Sequence, residues 1–124
     1  MVTITFNGEC QSIATIERFS VALDRFYKTE QFELWVLFEG GPSVCMLRNG
    51  ENAWLMYLRF EGDSGYTSHK KNSKPGSASY VLSNGQVDEY PHSWCIDVEQ
   101  CFKALAYFFV NKGAKPDWIS WHES

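Results

Sequence analysis

Few residues in this chain have the types and spacing that chemistry needs. His92, Cys95, Asp97 and Cys101 lie close together in the sequence, and thiolate, imidazole and carboxylate are all plausible zinc ligands. Only His92-x-x-Cys95 has ligand-like spacing, because Cys101 belongs to the apolar stripe of a helix, so buried thiols are the preferred reading. Cys95 with His92 or His122 could form a thiolate–imidazolium pair, which would make the chain a small cysteine-dependent enzyme. No nucleophile turn or oxyanion-hole pattern accompanies that pair. Glu61 with Asp63 and Asp88 with Glu89 are acidic pairs on expected turns, and no D-x-D-x-D-G loop supports calcium. Gly40-Gly41 is followed by Pro42, which removes an N–H that a phosphate-cradling loop would use. The expectation is no catalytic residue, no metal and no cofactor.

Aromatic content is the unusual feature. Of five tryptophans, Trp35 and Trp54 fall inside strand patterns and belong to the core. Trp94, Trp118 and Trp121 fall in end segments beside Pro91, His92, Asp117 and His122, where an amphipathic ring either seals one end of a core or meets a partner. A small-molecule binding module with an aromatic-lined pocket is a further alternative.

Length and charge narrow the classes. A chain of 124 residues with 44% apolar and 16% aromatic residues supports one hydrophobic core and one domain, 1–124. Its 11 basic and 15 acidic residues leave a net charge of −4, which argues against a nucleic-acid binder held by phosphates and favours a basic partner. The apolar runs fall far short of the roughly 20 residues that span a bilayer. The first residues carry no secretory signal pattern, so a cytoplasmic location and reduced cysteines are expected. Oligomeric state is left open.

Hydrophobic periodicity then assigns the elements. Val2, Ile4 and Phe6 alternate as a strand that ends at Asn7-Gly8. Thr15 caps a helix whose face is Ile16, Phe19, Leu23 and Phe26 and which ends near Lys28. Residues 32–39, 43–48 and 53–60 form an antiparallel meander, with Asn49-Gly50 as a hairpin turn. Trp54 to Leu58 is apolar on both faces, so that strand is covered on both sides near the sheet centre. Residues 62–77, with the basic cluster His69, Lys70, Lys71 and Lys74, read as a mobile loop or frayed edge hairpin. A second hairpin turns at Asn84-Gly85, its second arm polar as at a sheet edge. Asp97, with Gln100 as reciprocal partner, caps a helix bearing Val98, Cys101, Phe102, Leu105, Ala106 and Phe109. A terminal strand follows at Trp118–His122. The expected fold is α+β, a mostly antiparallel sheet of about six or seven strands packed by two helices.

Three blocks carry a family resemblance: residues 51–63 (ENAWLMYLRFEGD), residues 80–91 (YVLSNGQVDEYP), and Trp94 to Glu123 with the closing WISWHE. In order and spacing they resemble immunity family one of the bacterial polymorphic toxin systems, whereas residues 1–50 match only in layout. The resemblance implies an α+β immunity protein that binds and neutralises a cognate toxin, frequently a nucleic-acid deaminase, by stoichiometric contact without catalysis. It assigns nothing to the loop from His69 to Lys74. An acidic protein enters a basic toxin groove quickly, and tightness then comes from buried aromatic anchors. The candidate surface is therefore Glu61, Asp63, Asp88, Glu89 and Tyr90 with Trp94, Trp118 and Trp121.

Overall fold

The computed structural model describes residues 2–123. Strands β1 (Val2–Phe6) and β2 (Glu9–Ile13) form a first hairpin, followed by helix α1 (Ile16–Tyr27). The meander β3 (Gln31–Phe38), β4 (Ser43–Asn49) and β5 (Asn52–Leu58) comes next, then β6 (Tyr66–Ser68). A separate hairpin, β7 (Ser77–Val81) and β8 (Val87–Pro91), leads through a 3₁₀ turn at His92–Trp94 into α2 (Val98–Val110) and the last strand, β9 (Trp121–Glu123). The main sheet has the order β2-β1-β3-β4-β5-β6-β9, and every adjacent pair is antiparallel. The fold is α+β, as the run of hairpin-linked strands requires.

Period-2 alternation sorts side chains between two different covers. Ile4, Leu34, Val36, Val44, Met46, Leu55 and Tyr57 point to the helices, where they form one core with Phe19 and Phe26 of α1 and Leu105 and Phe108 of α2. Rings lock the layers: Phe6 stacks on Phe26 at 4.1 Å, and Phe19 of α1 on Phe109 of α2 at 4.3 Å. The opposite residues Cys45, Leu47 and Trp54 pack under Ala78 and Tyr80 of the β7–β8 hairpin. Three layers result: helices, main sheet, hairpin. Ser43 to Leu47 of β4 are accordingly all buried, because this central strand is covered on both faces.

Several local expectations need correction. The run 62–77 contains β6, an interior strand between β5 and β9, and Ser68 inside it is fully buried. Its apolar signal is absent because it holds only Tyr66, Thr67 and Ser68, and its buried hydroxyl is satisfied by donating to Trp94 O at 2.8 Å. The polar strand β2 was missed for the same reason: four of its five residues are exposed. In the β4–β5 hairpin Asn49 pairs with Asn52, so the turn residues are Gly50 and Glu51, one position later than the Asn-Gly reading. The helix faces also rotate. Ala22 is buried and Ile16 is exposed on α1, and Ala104 and Phe108 join Cys101 and Leu105 at the centre of α2, since α2 is apolar nearly all round and its periodicity is weak. Thr15 caps α1 by accepting from Arg18 N at 3.3 Å, but the Asp97 side chain caps nothing; its carboxylate stands 3.9 Å from Lys70 Nζ.

Candidate partner-binding surface

The β7–β8 hairpin begins locally. Leu82 N donates to Gln86 O at 2.8 Å and Gly85 N to Leu82 O at 2.9 Å, a three-residue loop of the type-I-plus-bulge kind. Asn84 Oδ1 accepts from Gln86 N at 2.9 Å and stiffens the loop. Tethers then fix the hairpin on the sheet. Glu33 of β3 accepts from Ser83 N and Ser83 Oγ at 2.9 and 2.8 Å through one oxygen, and from Trp35 Nε1 at 2.9 Å through the other. Burial raises the pKa of this carboxyl, but the hydrogen bonds from Ser83 and Trp35 outweigh it and hold the group below its ordinary value. On the other side, Asn49 Nδ2 donates to Ser79 O at 2.8 Å.

Glu33 is a site-supporting residue that the sequence reading missed. Its signal was a lone carboxylate on the strand face shared with Trp35, where alternation asks for an apolar side chain.

So anchored, the hairpin presents an aromatic and acidic face. Tyr90 lies 4.8 Å from Trp54 and stacks on Trp94 at 5.4 Å, while Trp94 meets Trp54 edge-on at 5.0 Å. The indole N–H of Trp54 is buried without a hydrogen-bond acceptor. Tyr90 Oη donates to Asp88 Oδ2 at 2.9 Å, and Asp88 Oδ1 accepts from Gln86 Nε2 at 2.7 Å. Burial, then the Asp88 carboxylate, push the Tyr90 phenol up to about 12. Glu89 is exposed and accepts from Ser77 Oγ at 3.2 Å. Asp88, Tyr90 and Trp94 therefore form one cluster on the sheet-facing side of the hairpin, while Glu89, the alternate residue of β8, is exposed on its outer side.

The other candidates separate. Glu61 stands exposed on the β5–β6 turn, beside a groove of about 440 Å³ whose floor includes Trp35, Leu37 and Leu58. Asp63, from the same turn, is inward-facing: its side chain is only 3% exposed and holds Arg59 through a two-pronged pair at 2.9 Å on each prong. It also accepts from Arg59 N at 3.0 Å, and the guanidinium holds its pKa well below the usual carboxylate range. Trp121 is half-buried against Tyr57, with its indole donating to Pro116 O at 2.7 Å, so it seals the end of the core. Trp118 is 44% exposed and precedes β9.

Of the thiol and imidazole candidates, His92 and Cys95 line one groove with Asp97 and Lys70. Cys101 and Cys45 are buried, and burial pushes both thiols up, away from the reactive thiolate. Cys95 Sγ lies 3.2 Å from Tyr80 Oη, and the His122 ring meets His69 edge-on at 5.6 Å and Trp94 at a tilt at 5.9 Å. Among the described residues no group of three His, Cys, Asp or Glu side chains gathers as a metal site. None of the described helices is long and apolar enough to cross a membrane.

Comparison with curated proteins finds no match. The family model described as Immunity protein Imm1 matches residues 16–123, a span that holds both helices, the meander and the whole β7–β8 hairpin with its acidic aromatic patch. A match over that much of the chain places this protein in the Imm1 immunity protein family.

Proposed function

We propose that this Imm1 protein binds a cognate toxin of a polymorphic toxin system, a nucleic-acid-targeting deaminase, in the cytoplasm and neutralises it by stoichiometric contact, without a reaction or cofactor of its own. The observation that carries this reading is the cluster on the hairpin, where Tyr90 and Trp94 stack beside Asp88, with Glu89 exposed on the outer side of the same strand. A toxin that acts on nucleic acid carries a basic groove, and acidic side chains at the rim accelerate encounter with it. Held rings lose little entropy on binding, so Tyr90 and Trp94 supply the anchors that determine lifetime. Glu61 and Trp118, both exposed, are the further contacts this reading assigns, whereas Asp63 and Trp121 are engaged within the fold.

The test is binding and inhibition of the toxin domain encoded beside this gene, with the wild-type protein and a triple variant, Asp88→Lys, Glu89→Lys and Tyr90→Ala. The wild type is expected to bind in a 1:1 complex and abolish deamination, and the variant to lose affinity by about 100-fold, the range of one anchor plus two reversed charges. Unchanged affinity in a folded variant rejects this surface. A toxin that ignores the wild type rejects the function.

A further inference from the structure

The outer side of β8 has no partner strand among the described residues. The bonds joining β7 to β8 determine which of its main-chain groups are open. His92 N donates to Gly76 O at 3.0 Å, and Leu82 N to Gln86 O at 2.8 Å, at the two ends of the ladder. The hydrogen-bonded pairs therefore fall at even positions, with Ala78 opposite Tyr90 and Tyr80 opposite Asp88 between them. In an antiparallel ladder the intervening residues turn their polar groups outward. Val87 and Glu89 present N–H and C=O groups along the free side, and Pro91 presents a carbonyl and ends the row of donors.

This edge borders apolar surface. Ser79 of β7 accepts from Asn49, which puts β7 at the Asn49 end of the central strands and β8 on the side of Trp35 and Met56. On the same sheet face Leu37 is 42% exposed, and with Trp35 and Leu58 it floors the groove that Glu61 borders. Edges of this kind are normally blunted by cationic side chains, and β8 carries Asp88 and Glu89 instead. Glu33 and Glu61 add negative charge, while the nearby cation Arg59 is already engaged by Asp63. At the β2 edge of the main sheet the adjoining groove is lined by Arg18 and Arg25 of α1 with Glu17 alone opposing them, so that edge is less suited to a cation.

We infer that the free edge of β8 receives an extended, Lys- or Arg-bearing segment of the toxin, which adds a third strand to the β7–β8 sheet. Main-chain bonds to Val87 and Glu89 hold the segment, alternate side chains enter the groove over Leu37 and Leu58, and its cations face Glu61, Asp88 and Glu89. This inference rests on the toxin-binding function proposed above.

Two measurements on the protein with the neighbouring toxin domain test it. Glu89→Pro removes one outward N–H that β7 does not use, whereas Glu89→Gln removes the charge and keeps the N–H. Strand addition predicts that Glu89→Pro binds at least roughly tenfold more weakly than Glu89→Gln, because a strand carbonyl is left unpaired. Hydrogen exchange on the wild type is independent of any folding defect in the proline variant: the amides of Val87 and Glu89 should exchange fast in the free protein and slow down in the complex. If the wild type binds the toxin while those amides stay fast, strand addition is wrong and the function stands. If the amides are already slow in the free protein and it sediments as a dimer, a second copy occupies the edge and the inference is wrong. A wild type that does not bind the toxin overturns inference and function together.

Discussion

Single residues divide between those that face a partner and those that build the platform, and hydrogen bonding tells them apart. Asp63 and Asp88 are both turn-flanking acids in the sequence, yet Asp63 accepts three bonds from Arg59 and is nearly inaccessible, while Asp88 ties Tyr90 into the hairpin face. The depressed pKa of Asp63 gives that structural role a pH signature. A carboxyl whose folded pKa lies below its unfolded value near 3.9 stabilises the fold above that value, and the contribution is lost as pH falls toward the folded pKa. Asp63→Asn should therefore lower Tm at neutral pH, and the gap from the wild type should close as pH drops from about 4 toward 2. A gap that is constant with pH would show that the Arg59 pair does not stabilise the folded state. Toxin affinity should change little, since the side chain is turned inward.

At the scale of elements, legibility followed the strength of periodicity. β1, the meander and α1 were readable because apolar residues recur at a period of 2 or 3.6 over five or more residues. β2 and β6 were not, because β2 alternates nothing apolar and β6 is three residues stabilised by neighbours on both sides. The acidic hairpin and its tryptophan were legible as a surface candidate. Their tether was not, since the bonds from Ser83 and Trp35 to Glu33 join parts of the chain that are distant in sequence. One glycine shows how β6 is held. Gly65 has φ +77°, and a Cβ there would lie 2.7 Å from Tyr57 O and 2.5 Å from Leu58 Cδ2, so the entry to β6 runs tight alongside β5. Gly65→Ala should cost about 2 kcal/mol or more through strain and backbone collision. Denaturant titration measures this; a loss below about 0.5 kcal/mol would mean that the β5–β6 approach relaxes freely.

Across the whole molecule, stability is unevenly distributed between the layers. The helix-side core joins α1, α2 and most strands of the main sheet, whereas the hairpin is attached by a small cluster in which Tyr80 is its one fully buried large side chain. The surface proposed to meet the toxin thus lies on the layer that opens at lowest cost, which is where binding elements are commonly found. Removing a buried aromatic costs about 3–5 kcal/mol, and a two-stranded hairpin without its packing is marginally stable at best. Tyr80→Ala should therefore release the hairpin while the main sheet stays folded. Native-state hydrogen exchange should show fast amides in β7 and β8 and slow ones in β1, β3, β4 and β5, and toxin binding should be lost although the protein remains cooperative on heating. Global unfolding would show that the hairpin is integral to the main core, and a protected hairpin in this variant would show that the Glu33 and Asn49 tethers suffice without Tyr80. Toxin binding that survived release of the hairpin would move the partner's contact to another layer of the molecule.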